Sequence, residues 1–244
     1  MLMRCTHSRF MSSGRGSALS QRCVTNVSVG SWYPRGQDRL RRSLSDVGFD
    51  GNLLLWSGEY PPGCPTHQEQ PYAFKVAALE MAIHRGMGAT LWCDGSVWFI
   101  RDPSPLFKQI EENGYWIMTL GWCTSEWCMD SALPLLGVKR DDYWSVPMIS
   151  ATMFGFDMQS DIARKVVGYM RARVRDGSLR GPWTNEQGQA SLDKRVLGHR
   201  HDQTALSVIA HKLGLNIEWH PNYLEYKWPD SVPNPKCVAL AQGM

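Results

Sequence analysis

Three short apolar runs alternate with two amphipathic stretches between residues 23 and 93, and glycine marks most of the boundaries. The runs are CVTNVSVG, GNLLLWSG and ATLWC; four to eight apolar or β-branched residues closed by a turn residue is the length and chemistry of a buried strand. The intervening GQDRLRRSLSDVG carries Leu40, Leu44 and Val47 at helical spacing, and YAFKVAALEMAIHRG gathers Phe74, Ala77, Ala78, Met81 and Ala82 on one helical face. A strand, a helix and a strand in succession make a crossover unit, which joins parallel strands. The pattern therefore predicts an α/β fold: one domain with a mainly parallel central sheet flanked by helices, over residues 23–230.

Further along, DPSPLFKQIEENG reads as a short helix and YWIMTLG as a strand. TSEWCMDSALPLLG reads as helical up to Pro134, and WSVPMISATMFGFD as one more strand. Asp157 is placed to cap the helix DMQSDIARKVVGYMRARVR. The polar, Gly-rich GSLRGPWTNEQGQASLDK has the size of a mobile cover over a site, HDQTALSVIAHKLG is the last helix, and NIEWHPNYLEYKW reads as extended. Residues 231–244 are expected as a tail. Residues 1–22 have no acidic residue and many Ser and Arg, the composition of a transit peptide or of a disordered extension, and Gly14 and Gly16 favour the extension.

Bulk properties exclude more than they choose. No apolar run approaches the roughly 18 residues that cross a bilayer, and seven scattered cysteines without a CxxC pair indicate neither a disulfide framework nor a zinc knuckle. A cytoplasmic protein, or a viral one working in the host cytoplasm, is expected. The net charge of +3 is too small to select a polyanionic partner. Eleven Trp is about twice ordinary usage; some eight of them are expected to serve packing, which leaves a few for stacking on sugars or bases.

Two clusters carry chemistry. ATLWC runs directly into Asp94-Gly95-Ser96, so a carboxylate and a hydroxyl stand two residues apart on a turn beyond a strand end, where α/β sheets bind ligands. Such a turn can supply oxygen ligands to Mg²⁺ or Mn²⁺, whose remaining ligands are water and substrate phosphate. Asp-Gly is equally a common turn dipeptide. In GHRHDQTALSVIAHKLGL, the residues His199, Arg200, His201, Asp202 and Gln203 open a helix. Asp202 fits either a helix cap or an acid–base group. His199 and His201 have the spacing of a metal pair but no evident third ligand.

PYAFKVAALEMAIHRGMGATLWCDGSVWFIRDPSPLF resembles the donor-site region of nucleotide-sugar-dependent glycosyltransferases of the GT-A fold, a Rossmann-like architecture, and HRHDQTAL is similar to a late helix in several of those families. The likeness spans roughly residues 23 to 220. It implies transfer of a hexose from a nucleotide sugar, a UDP-sugar in the first instance, to a hydroxyl on a glycan or on a hydroxymethylated base of DNA. Asp94 and Ser96 would then bind Mn²⁺ or Mg²⁺, with Ser96 departing from the usual second Asp, and His220 would be a further metal ligand or merely a surface residue. Lys75 would approach the donor or support Asp94. Ser31, Tyr33 and Arg39 would line the nucleotide pocket, His201 would join the donor site, and Asp202 and Gln203 would lie near the anomeric carbon. Arg164, Lys165, Arg171, Arg173, Arg175 and Arg180 would suit an anionic acceptor, although a solvated helix face explains the same run. The alternative is a non-catalytic protein of this fold that binds a nucleotide, a sugar or a nucleic acid.

Overall fold

Strand β1 (Cys23–Ser28) is buried along all six residues, and the rest of the chain is arranged around it. The computed structural model describes residues 22–217, 219–220, 222–228 and 232–242. Because strand side chains alternate, Cys23 and Val27 join one apolar cluster and Val24 the other. β1 pairs in parallel with β2 (Asn52–Ser57) on one side and β3 (Ala89–Cys93) on the other. The two crossovers are α1 (Tyr33–Asp46) and α2 (Ala73–His84), packed on opposite faces. This is the β-α-β opening expected from the spacing.

The chain continues through β4 (Val97–Phe99), α3 (Ser104–Asn113), β5 (Tyr115–Trp116), β6 (Thr119–Cys123), α4 (Ala132–Leu136), β7 (Pro147–Ile149), β8 (Met153–Asp157), α5 (Asp161–Asp176), α6 (His201–Lys212), β9 (Leu224–Tyr226) and β10 (Ala239–Ala241). The central sheet has the order β2-β1-β3-β8-β5. β8 runs antiparallel to both β3 and β5, so the sheet is mixed: two of its four pairings are parallel and two antiparallel, against the expectation of a mainly parallel sheet. Helices α1 and α3 cover one face, and α2, α5 and α6 the other.

Several local expectations are corrected. YWIMTLG is two strands, because β5 pairs with β8 whereas β6 pairs with β7 in a separate two-stranded sheet. WSVPMISATMFGFD likewise divides into β7 and β8. Pro134 does not end a helix; it is the third residue of α4, in the first turn, where a missing N–H loses no helical bond. Ser160, not Asp157, caps α5, its hydroxyl accepting from the Ala163 N–H at 3.1 Å. Arg22 belongs to the fold, pairing with Glu111 at 2.8 Å, and the rest of the expected extension lies outside the described residues. Residues 239–241 are no tail: β10 is the middle strand of a second sheet, β4-β10-β9.

Gly155 of β8 lies under close packing. A Cβ there would collide with the Cδ1 tip of Ile110 of α3 and stand 3.0 Å from both Leu91 and the Thr90 carbonyl, so the bare position lets α3 sit close on the sheet. Among the described residues, no helix is long and apolar enough to cross a membrane.

Candidate functional site

The carboxyl ends of β1 and β3 lie over a buried polar bed. Asn26 donates to the Cys93 carbonyl at 2.6 Å and accepts from Ser28 and Gln37, each at 2.7 Å. Gln37 donates also to the Trp56 carbonyl at 2.9 Å. These bonds fix the end of β3, and with it the turn that follows. Within the turn Val97 N–H donates to the Asp94 carbonyl at 3.0 Å, and Asp94 N–H to the Thr152 carbonyl at 2.8 Å. Arg39 closes the other side, donating to the Ser96 carbonyl at 2.8 Å while its guanidinium lies 4.2 Å from the centre of the Trp98 ring.

Lys75, on the first turn of α2, is the hub. Its ammonium donates to the Ala151 carbonyl at 2.8 Å and is ion-paired with Asp94 Oδ1 at 3.1 Å and Asp202 Oδ2 at 3.0 Å. Burial disfavours its charge, but Asp202 and Asp94 outweigh that and hold the ammonium above the ordinary lysine value. Trp92 Nε1 donates to Asp94 Oδ1 at 2.8 Å. Burial raises the Asp94 carboxyl against the opposing pull of Lys75 and Trp92. Asp202 does not cap α6, whose N-cap is Arg200; it is 5% exposed and turned onto Lys75. Among the described residues no protein donor meets Oδ1 of Asp202 or Oδ2 of Asp94.

A cavity of about 620 Å³ opens over Lys75 and Asp94, lined by these two with Gly95 and Ser96 at its polar end and mostly by aromatic rings elsewhere; Asp202, His201 and Gln203 stand behind the lining and are not part of it. Trp32 and Tyr33 stand at the β1–α1 junction, Tyr60 and His67 come from the loop before α2, and Trp183 comes from the loop before α6. Tyr72 and His201, two of the three non-glycine residues with positive φ among the described residues, stack face to face with ring centres 5.3 Å apart. Left-handed backbone at such residues is strain of the kind found at functional sites.

The two histidines fasten the 177–200 loop to α6. His199 Nε2 lies 2.8 Å from the Ser178 carbonyl and His201 Nε2 2.9 Å from the Gly181 carbonyl; a carbonyl only accepts, so both Nε2 atoms carry protons. Burial lowers both imidazoles, His199 to about 4. Both Nε2 atoms are thereby spent on the loop, and among the described residues no group of three His, Cys, Asp or Glu could hold a metal. His201 Nδ1 and Gln203 Nε2 are buried without a partner. Unmet polar atoms of this kind call for an explanation, and a missing ligand is one.

The remaining expected residues divide. Tyr33 lines the cavity and Arg39 supports its floor, but Ser31 is exposed and is not part of the lining. His220 lies apart from the cavity lining, its ring against Trp116 and Tyr223 toward the β5 edge. For a divalent ion the turn offers Asp94 Oδ2 and the Ser96 hydroxyl. Two protein oxygens fit an Mg²⁺-type ion that takes the rest of its ligands from water and a diphosphate, and they do not make an all-protein cage.

The basic run of α5 is largely neutralised where it stands: Arg164 pairs with Asp161, Arg171 with Glu80 and Arg173 with Asp176, which favours the solvated-face reading. Sequence reasoning missed Tyr72, Trp183 and Tyr226. Tyr226 reaches in from β9 to donate to Thr152 Oγ1 at 2.8 Å, beside the Asp94 turn. Only the surplus of Trp hinted at these rings: five of the eleven are exposed and four are buried, fewer packed than expected. Comparison of the sequence with protein-family models and with curated proteins finds no match in either.

Proposed function

We propose that the chain is a glycosyltransferase of GT-A-like fold, moving a hexose from a nucleotide sugar, a UDP-sugar in the first instance, to a hydroxyl of a glycan or of a hydroxymethylated base in DNA. The observation that carries this reading is the meeting of Asp94 and Asp202, 108 positions apart in sequence, on the one ammonium of Lys75 beside a cavity of nucleotide-sugar size. Exposed Trp32 and Tyr33 offer flat faces for the base. Asp202 Oδ1 is the proton acceptor. In the transfer the acceptor oxygen forms a bond to the anomeric carbon and the bond from that carbon to the diphosphate oxygen breaks. The hydroxyl proton goes to Asp202, and the nucleoside diphosphate leaves with the electron pair. Lys75 pairs with both Asp202 and Asp94 and holds them side by side, and Gln203 is a hydrogen-bond donor for the sugar.

Asp94 and Ser96 would hold Mn²⁺ or Mg²⁺ jointly with the donor's diphosphate, and the ion supplies positive charge to the leaving group. The test is a screen of UDP- and GDP-sugars with simple glycans and hydroxymethylated DNA, with and without Mn²⁺, read by mass spectrometry. A product heavier by one hexose, lost on Asp94→Ala, is expected. Donor binding with neither transfer nor hydrolysis under any condition would leave the non-catalytic alternative.

A further inference from the structure

Behind Trp183, which lines the same cavity, Arg200 is enclosed by indoles. Its guanidinium carbon lies 4.0 Å from the ring centre of Trp127, 4.6 Å from that of Trp183 and 5.2 Å from that of Trp122. Other arginines of this structure that are drawn inward have an oxygen to bond: Arg39 has the Ser96 carbonyl, Arg101 the Cys237 carbonyl, Arg140 Asp130 and two carbonyls. Arg200 has rings, and among the described residues no acceptor. Its Nε and the Nε1 of Trp127 are both buried without a partner. The patch is thus all donors and no acceptors. A neutral sugar hydroxyl needs both; a phosphate oxygen only accepts.

The rings define the rest of the ligand. Trp127 is buried and acts as the back wall, whereas Trp122 and Trp183 are 38% and 51% exposed and present free faces beside the cation. A cation set between open indole faces is how single-stranded nucleic acid is gripped: phosphate on the arginine, bases on the rings. Trp183 also lines the cavity that Lys75 and Asp94 line, so a strand seated here lies next to the proposed donor site. We propose that Trp122, Trp183 and Arg200 form the acceptor subsite, and that the acceptor is a nucleic-acid strand bound through one phosphate and its neighbouring bases. This rests on the transferase reading for its meaning as an acceptor site, but not for the binding itself.

The experiment is fluorescence anisotropy of a labelled oligothymidylate with the full chain across a salt series, alongside calorimetric titration of the same preparation with a UDP-sugar. Arg200→Gln is expected to weaken oligonucleotide binding at least tenfold and to reduce the dependence of log affinity on log salt by about 0.7, the value of one phosphate contact on a single strand. Trp183→Ala is expected to weaken it roughly five- to a hundredfold, the span of one lost stacking contact. Lys165→Gln removes an exposed charge from α5 and should leave affinity within about twofold, separating a built subsite from general attraction to a basic surface. Thermal midpoints of the variants establish that they are folded.

Wild-type affinity in folded Arg200→Gln and Trp183→Ala, or no binding by the wild type at low salt, overturns the proposal. So does tighter binding of a sulfated oligosaccharide than of the oligonucleotide, lost on Arg200→Gln, which would assign the patch to acidic glycans. Oligonucleotide binding at Arg200 without any UDP-sugar binding would instead refute the transferase reading and leave the nucleic-acid site standing.

Discussion

Lys75 is the residue on which the site depends. Its ammonium donates to the Ala151 carbonyl and is ion-paired with both Asp94 and Asp202, so it acts by holding two carboxyl groups together. Lys75→Met should destabilise the fold by about 3–5 kcal/mol, the usual consequence of leaving buried charge uncompensated. Denaturant titration checks this, and the loss should shrink at acid pH, where the Asp94 carboxyl, raised by burial, takes up its proton; a loss under 1 kcal/mol would show that the pairing is not as drawn. His199 makes an independent prediction. Its imidazole is neutral in the fold, with a value near 4 against 6.5 in the open chain. The folded pKa is the depressed one, so its contribution is complete above pH 6.5, where both states are neutral, and is lost as pH falls toward 4 while the unfolded chain takes up the proton. The loss amounts to about 3 kcal/mol by linkage. Unfolding midpoints that stay flat between pH 7 and 4 would contradict this. Asp94, Asp202 and Lys75 were legible in the sequence because strand ends and helix starts can be read from periodicity. Their meeting was not, since nothing local to residue 94 specifies what residue 202 will face.

At the scale of elements, the β-α-β opening was readable because β1, β2 and β3 are apolar runs ended by turns and their helices show a clean face. The reversal at β8 was hidden, since a buried strand reads the same in either direction and the chain leaves the central sheet between β5 and β6 without a turn signal. Gly155 records the packing that follows. Gly155→Ala should cost about 1–3 kcal/mol by driving a methyl into Ile110, and Ile110→Val in the same chain should recover part of it. Independent, additive losses in the double variant, measured by the same titration, would show that α3 does not rest on β8 as described. The C-terminal β10 does not show in the sequence because three residues, Ala239–Ala241, are too few to register as a strand, and one of its two partners, β4, lies 142 positions earlier. Through that pairing and the Gln242 N–H bond to the Ser96 carbonyl at 3.3 Å, the C-terminal segment braces the Asp94 turn.

For the whole molecule, a mixed sheet delivers one carboxylate from a strand end, a second from the start of α6 and a cation between them, and lays aromatic rings over all three. In the proposed transfer the two acids would have different duties: Asp94 would serve the donor's diphosphate, and Asp202 would take the acceptor's proton. Comparing Asp94→Asn with Asp202→Asn for donor binding and for transfer, with the metal ion present, tests that division most directly. Asp202→Asn should bind the nucleotide sugar within a few-fold of wild type while transfer falls by about 10²–10⁴, the range of a lost general base. Asp94→Asn should lose donor affinity. Transfer by folded Asp202→Asn at the wild-type rate would contradict the account.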